Sequence, residues 1–155
     1  ALQAQVLVEV DDWAIAFREG GGDNYLKPFQ ARFTFGRMKK LDAAGVEYIG
    51  RRLRLDGDRV LVDQEKYILE QLQKIPLARG RRGNHEDSLV GGEVAAFRSL
   101  VYKLQWVGRE TRAEAAGTAS ILAAKVNGPS VKDLLDANKM VDHLRFLPDG
   151  FVLAT

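Results

Sequence analysis

Val6, Val8 and Val10 alternate with Gln5, Leu7 and Glu9, and Trp13 to Phe17 is again rich in β-forming residues. The segment QVLVEVDDWAIAF (5–17) therefore predicts two strands, with Asp11-Asp12 at or near a hairpin turn and both carboxylates projecting from its tip. REGGGDN (18–24) predicts a flexible connection. Tyr25, Leu26, Phe29 and Phe33 then fall at helical spacing, with Pro28 tolerable only near the helix start. A second hairpin is predicted from Val46 to Leu55 and from Arg59 to Val62, joined by Asp56-Gly57-Asp58, because Asp-Gly supplies the positive φ that tight hairpin turns require. Asp63 can cap a following helix whose apolar face is Ile68, Leu72 and Ile75 and which Pro76 ends.

From Leu77 to Gly92 the periodicity stops and RGRRGNHEDS lies at the centre, the pattern of a linker. Beyond it Val94, Phe97, Val101, Leu104 and Val107 form a helical stripe. Thr111 and Glu114 have the spacing of a capping box opening an alanine-rich helix, stopped at Gly128-Pro129. Ser130 is placed to cap a third helix carrying Leu134, Leu135, Val141 and Leu144. The expectation is an α+β first part (1–76), a basic and polar linker (77–92) and an all-α lobe (93–155).

Charge changes this picture little: 23 basic against 21 acidic residues leave a formal +2, which favours no polyanionic partner by itself. Without cysteine there are neither disulfides nor thiolate metal sites, and His85 and His143 are too far apart for a recognisable zinc pattern. No apolar run is long enough to span a bilayer and no secretory signal is visible, so the expectation is an intracellular protein, not secreted and without a membrane partner. A start without methionine on a strand-like segment is expected of an excised or processed piece.

The candidate chemistry is the aspartate pair. Two carboxylates held close together repel, and the relief is a shared proton or a divalent cation, Mg²⁺ being the natural choice. Asp-Asp pairs more often mark a solvated turn, but here β-forming apolar residues flank the pair on both sides. Basic clusters Arg37/Lys39/Lys40, Arg51/Arg52/Arg54 and Arg79/Arg81/Arg82 can neutralise phosphates, or can be solvated faces offset by Asp42, Glu47, Asp56, Asp58, Glu86 and Asp87. Tyr102 and Trp106 lie in or beside the apolar stripe and are assigned to the core ahead of base stacking. Gly20-Gly21-Gly22 lacks the Lys-Ser/Thr ending of a phosphate loop.

The order of segments carries a resemblance. VEVDDWAIA resembles the Y-V-D-D-x-x-I-A hairpin of reverse transcriptases, and FTFGRMKKLDAAGVEYIGRRLRLDGDRVLVDQEKYI is similar to the segment that follows it in the copia branch of retrotransposon enzymes. FRSLVYKLQWVGRETRAEAA resembles that branch's Y-R-S-L-V-G-K-L-x-W-L-x-x-x-T-R-P-D-I-A, and NGPSVKDLLDANKMVDHLR its helix before the RNase H region. The resemblance implies antiparallel palm hairpins with a helix followed by a thumb-like lobe of an RNA-directed DNA polymerase. Asp11 and Asp12 would be two of three catalytic carboxylates for two Mg²⁺ ions, with template-primer duplex and dNTP as substrates and the rest of a polyprotein as partner. Tyr48 and Gly50 fall on the primer-gripping hairpin, and Arg51, Arg52, Arg54, Arg79, Arg81 and Arg82 become candidate contacts to nucleic acid.

Departures from the pattern temper the expectation of activity. The family's first catalytic aspartate lies upstream of the hairpin, Glu9 stands at its usual Tyr, Tyr102 at a usual Gly, and Ala113 and Glu114 at Pro and Asp. The chain is therefore expected to be inactive alone. The rival expectations are a non-catalytic nucleic-acid-binding or assembly module derived from the same fold, and a purely structural domain that binds neither metal nor nucleic acid.

Overall fold

A computed structural model describes residues 4–18, 20–78, 80–147 and 151–153. The protein is mixed α+β, with two antiparallel sheets and five α-helices among the described residues. Strands β1 (Ala4–Glu9) and β2 (Asp12–Phe17) form a two-stranded ribbon running from the pair Ala4 with Phe17 to the pair Glu9 with Asp12. Helix α1 (Gly22–Arg32) follows. Pro28 lies inside this helix rather than at its start, and the backbone bond it cannot donate falls on the exposed turn at Asn24, where water can satisfy the carbonyl. Trp13 leans on α1 and the segment after it, with its ring 5.8 Å from Phe29 and 5.3 Å from both Phe33 and Phe35.

The second sheet is a meander of β3 (Val46–Tyr48), β4 (Arg51–Asp56) and β5 (Arg59–Asp63), with β6 (Phe151–Leu153) added on β5. Asp56 pairs with Arg59, leaving Gly57-Asp58 as a two-residue loop with Gly57 at φ 63, the positive value this tight connection needs. Helix α2 (Glu65–Gln71) is shorter than its apolar pattern predicts. Arg145 donates to the carbonyls of Leu69 (2.8 Å) and Leu72 (3.0 Å), and Lys103 to that of Gln71 (3.1 Å), which satisfies the end of α2 early. The Asn138 amide then holds Ile75 in extended form, accepting from its N–H and donating to its carbonyl, both at 2.9 Å.

Helices α3 (Gly92–Glu110), α4 (Ala113–Ala123) and α5 (Val131–Phe146) build the core. Phe97, Val101, Leu104 and Val107 of α3 are fully buried against Ala115 and Ala119 of α4, Leu134, Val141 and Leu144 of α5, and Ile68 and Leu72. The α3–α4 contact is close because position 108 is glycine: a Cβ there would lie 2.9 Å from the Ala116 backbone. Ser130 caps α5 as expected, and Asp133 completes a capping box with it. The Thr111/Glu114 box does not form. The Thr111 hydroxyl instead donates to the buried Gln64 side chain (2.8 Å), Glu114 accepts from Arg112 (2.6 Å), and Arg112 is the N-cap residue. Residues 77–92 contain a short 3₁₀ turn, Arg81–Gly83, and are tied to α5 at several points. Leu89 is buried, its N–H donates to Pro129, and the carbonyls of His85 and Asp87 accept the first amides of α5.

Candidate active site

The ribbon's turn is Val10-Asp11, so Asp11 sits in the loop and Asp12 begins β2 directly opposite Glu9. Directly opposed residues have Cβ atoms about 4.5–5.5 Å apart, so Glu9 and Asp12 place two like charges on one face of the ribbon beside Asp11. Val10 is 88% exposed and has φ 52, a left-handed conformation that a β-branched residue adopts only at a cost on the order of 1–3 kcal/mol. The tip thus combines backbone strain at Val10 with a mutual repulsion of carboxylates that a cation held there would offset.

The second turn, Ile49-Gly50 between Tyr48 and Arg51, carries the same kind of strain, with Ile49 at φ 51. It is pinned to the helical lobe. Gly50 lies beside the Trp106 ring, its carbonyl is reached by the Gln64 amide at 3.4 Å, and Gln64 in turn accepts from Thr111. Arg51 pairs with Glu110 at 2.8 Å. The Tyr48 phenol is pushed above its ordinary pKa by burial first and then by the nearby carboxylates of Glu9 and Asp12, with Arg51 opposing. Its hydroxyl is buried without a hydrogen-bond partner among the described residues. Glu9 and Asp12 of the first turn thus act on Tyr48 of the second only through their charge.

The arginines of β4 are engaged. Arg52 bonds Asp63 (3.1 Å) and Glu65 (2.6 Å), and Arg54 Nε approaches Asp63 at 3.5 Å, within ion-pair reach but without a hydrogen bond. Asp63 is buried and also accepts from the Glu65 N–H at 3.1 Å, so one carboxylate gathers two guanidinium groups and the start of α2. Arg81 is paired with Glu93 and donates to the Ser88 carbonyl at 2.7 Å. This pairing, with the Val90 amide, holds the Glu93 carboxyl below its ordinary value. Arg82 is exposed, with no side-chain partner among the described residues. Arg79 lies outside the described residues.

Tyr102 is 59% exposed, which corrects its assignment to the core. It lies four residues after Arg98 and four before Trp106, on the outer face of α3, while Trp106 is half-buried with Arg109 5.1 Å above its ring. Apolar spacing hid this surface because Tyr102 follows a buried Val101; the signal was the Arg-Tyr-Trp-Arg run at helical intervals. The donor set at the ribbon tip consists of carboxylates alone, which suits a hard cation such as Mg²⁺. Among the described residues no group of three or more His, Cys, Asp or Glu side chains could hold a metal ion. No helix among them is long and apolar enough to cross a membrane. No protein-family model, curated protein or solved structure matches the chain.

Proposed function

We propose that this chain is the C-terminal palm and thumb part of a copia-type RNA-directed DNA polymerase, with Asp11 and Asp12 as two of the three carboxylates of a nucleotidyl-transfer site. The observation that carries the reading is the tip of the first hairpin, where Asp12 stands directly opposite Glu9 and beside Asp11 and the left-handed Val10, with Tyr48 of the second hairpin within electrostatic reach of Glu9 and Asp12. That is the arrangement expected of a catalytic hairpin and a hairpin that grips the primer end. Asp11 and Asp12 would hold Mg²⁺, completed by a third carboxylate from outside this chain and by substrate phosphates; the bound ions would neutralise charge at the transferring phosphoryl group. Tyr48 and the Ile49-Gly50 turn would orient the primer end, and the Arg98, Tyr102, Trp106 and Arg109 face of α3 would lie along the duplex.

One observation favours the rival, an assembly module of the same descent: β1 exposes Leu7 at 55% and Val8 at 49%, apolar surface suited to a further protein layer. Primer extension separates the two. Full-length protein from the reading frame containing this segment is assayed on an RNA template with Mg²⁺, as wild type, Asp11→Asn and Asp12→Asn. Extension by the wild type that falls by at least about 10²-fold in both variants supports the polymerase, since loss of a metal-holding carboxylate removes several kcal/mol of transition-state stabilisation. Extension that is unchanged in the variants, or absent from folded wild type, overturns it in favour of the assembly module.

A further inference from the structure

A groove of about 590 Å³ lies away from both hairpins, between the extended segment after α2, the 3₁₀ turn and α5. Its lining joins apolar Ile75, Pro76 and Leu135 to a basic rim. Two of the lysines on that rim are neutralised: Lys74 pairs with Asp142 (2.9 Å) and Lys139 with Asp136 (3.1 Å). Two further cations, Arg82 and Lys132, have no side-chain partner among the described residues, and the His85 imidazole beside them is equally unengaged. The frame that presents them is fixed. Lys132 donates its backbone N–H to the His85 carbonyl at 3.0 Å, which locks the loop bearing Arg82 and His85 onto the first turn of α5. Asn138, whose amide is consumed by Ile75, fixes the opposite wall. Since the first amides of α5 are already used by loop carbonyls, an anion here meets side chains and not a helix end.

We propose that this groove is a second nucleic-acid contact, in which Arg82 and Lys132 hold adjacent backbone phosphates of a strand while Ile75, Pro76 and Leu135 cover its sugar edge. Two unpaired cations beside an apolar lining match a strand in which charged phosphates alternate regularly with less polar sugars; an acidic peptide is the competing occupant that the test below includes. The proposal rests on the reading of the chain as part of a nucleic-acid enzyme.

The test is binding of a fluorescein-labelled RNA–DNA hybrid to the 155-residue chain, followed by anisotropy across a salt series. Wild type is compared with Arg82→Gln/Lys132→Gln and with Lys66→Gln, whose ammonium pairs with Glu47 away from the groove. The expected result is a salt slope lower by about 1.8 in the double variant, with affinity at low salt down roughly tenfold or more, and no change in Lys66→Gln. All the exchanged side chains are exposed, so circular dichroism should show unaltered folding. Wild-type binding with an unchanged slope in the double variant overturns the groove and leaves the polymerase reading intact. Absence of any wild-type binding also overturns it, and primer extension then judges the polymerase reading separately. Tighter binding of a polyglutamate peptide than of the hybrid, dependent on Arg82 and Lys132, overturns it in favour of an acidic protein partner.

Discussion

Val8 and Val10 of the ribbon are 49% and 88% exposed, whereas Val101, Val107, Val131 and Val141 of the helical lobe are fully buried. The same side chain meets two fates because a helix of the lobe turns its apolar stripe toward several neighbours at once, while the two-stranded ribbon, whose Trp13 packs on Phe29, Phe33 and Phe35, leaves most of its β1 side chains exposed. Stability is therefore concentrated in α2 to α5, and the carboxylates that make the candidate site ride on the part with least burial. The candidate site is strained and repulsive at its tip, and the helical lobe holds the second turn through Gly50, Gln64, Thr111 and the Arg51–Glu110 pair.

The two regions should differ most when side-chain atoms are cut from an apolar position in each. Leu104→Ala, at a fully buried position, should cost about 2–5 kcal/mol in chemical denaturation, whereas Val8→Ala should stay within roughly 0.5 kcal/mol. Equal losses would show that the ribbon is as well supported as the core. Trp13→Ala removes the ring that meets Phe29, Phe33 and Phe35, each aromatic contact being worth about 0.5–1.5 kcal/mol beyond area. Amide exchange should then accelerate in β1, β2 and α1 and remain unchanged in α3 to α5; a uniform increase would mean that the two regions unfold as one.

Acid probes the helical side. Burial raises the Asp133 carboxyl, but hydrogen bonds from Lys125 and Ser130 outweigh it and hold the group below its ordinary 3.8. A depressed folded-state value means that the stabilisation is present above the unfolded pKa and lost as pH falls through the folded one. Thermal midpoints should therefore drop below about pH 4 in the wild type and less steeply in Asp133→Asn, which is weaker at neutral pH. Parallel curves would remove Asp133 from the account. The smallest effect is expected at the tip: Val10→Asn, a residue that tolerates the left-handed region, should stabilise the hairpin by up to about 1 kcal/mol, read as slower exchange at Asp12.

Features that depend on near neighbours in the chain were legible: a hairpin turn at or near Asp11-Asp12, found one residue earlier at Val10-Asp11, the Gly57 loop, the Ser130 cap and the apolar stripe of α3 all follow from residues within one turn or one hairpin. The two hairpins, and the aspartates on the first of them, follow from the same local patterns. What could not be read depended on partners far along the chain. Arg145 ends α2 from 76 residues away, Asn138 holds Ile75 across 63, and Thr111 leaves its own helix start for Gln64 across 47. The guanidinium groups of Arg51 and Arg52 were visible as charge, but their engagement with Glu110 and Asp63 emerged only on folding. A hydrogen-bonding side chain chooses among partners by distance in space, and spacing along the chain records only those within its own turn.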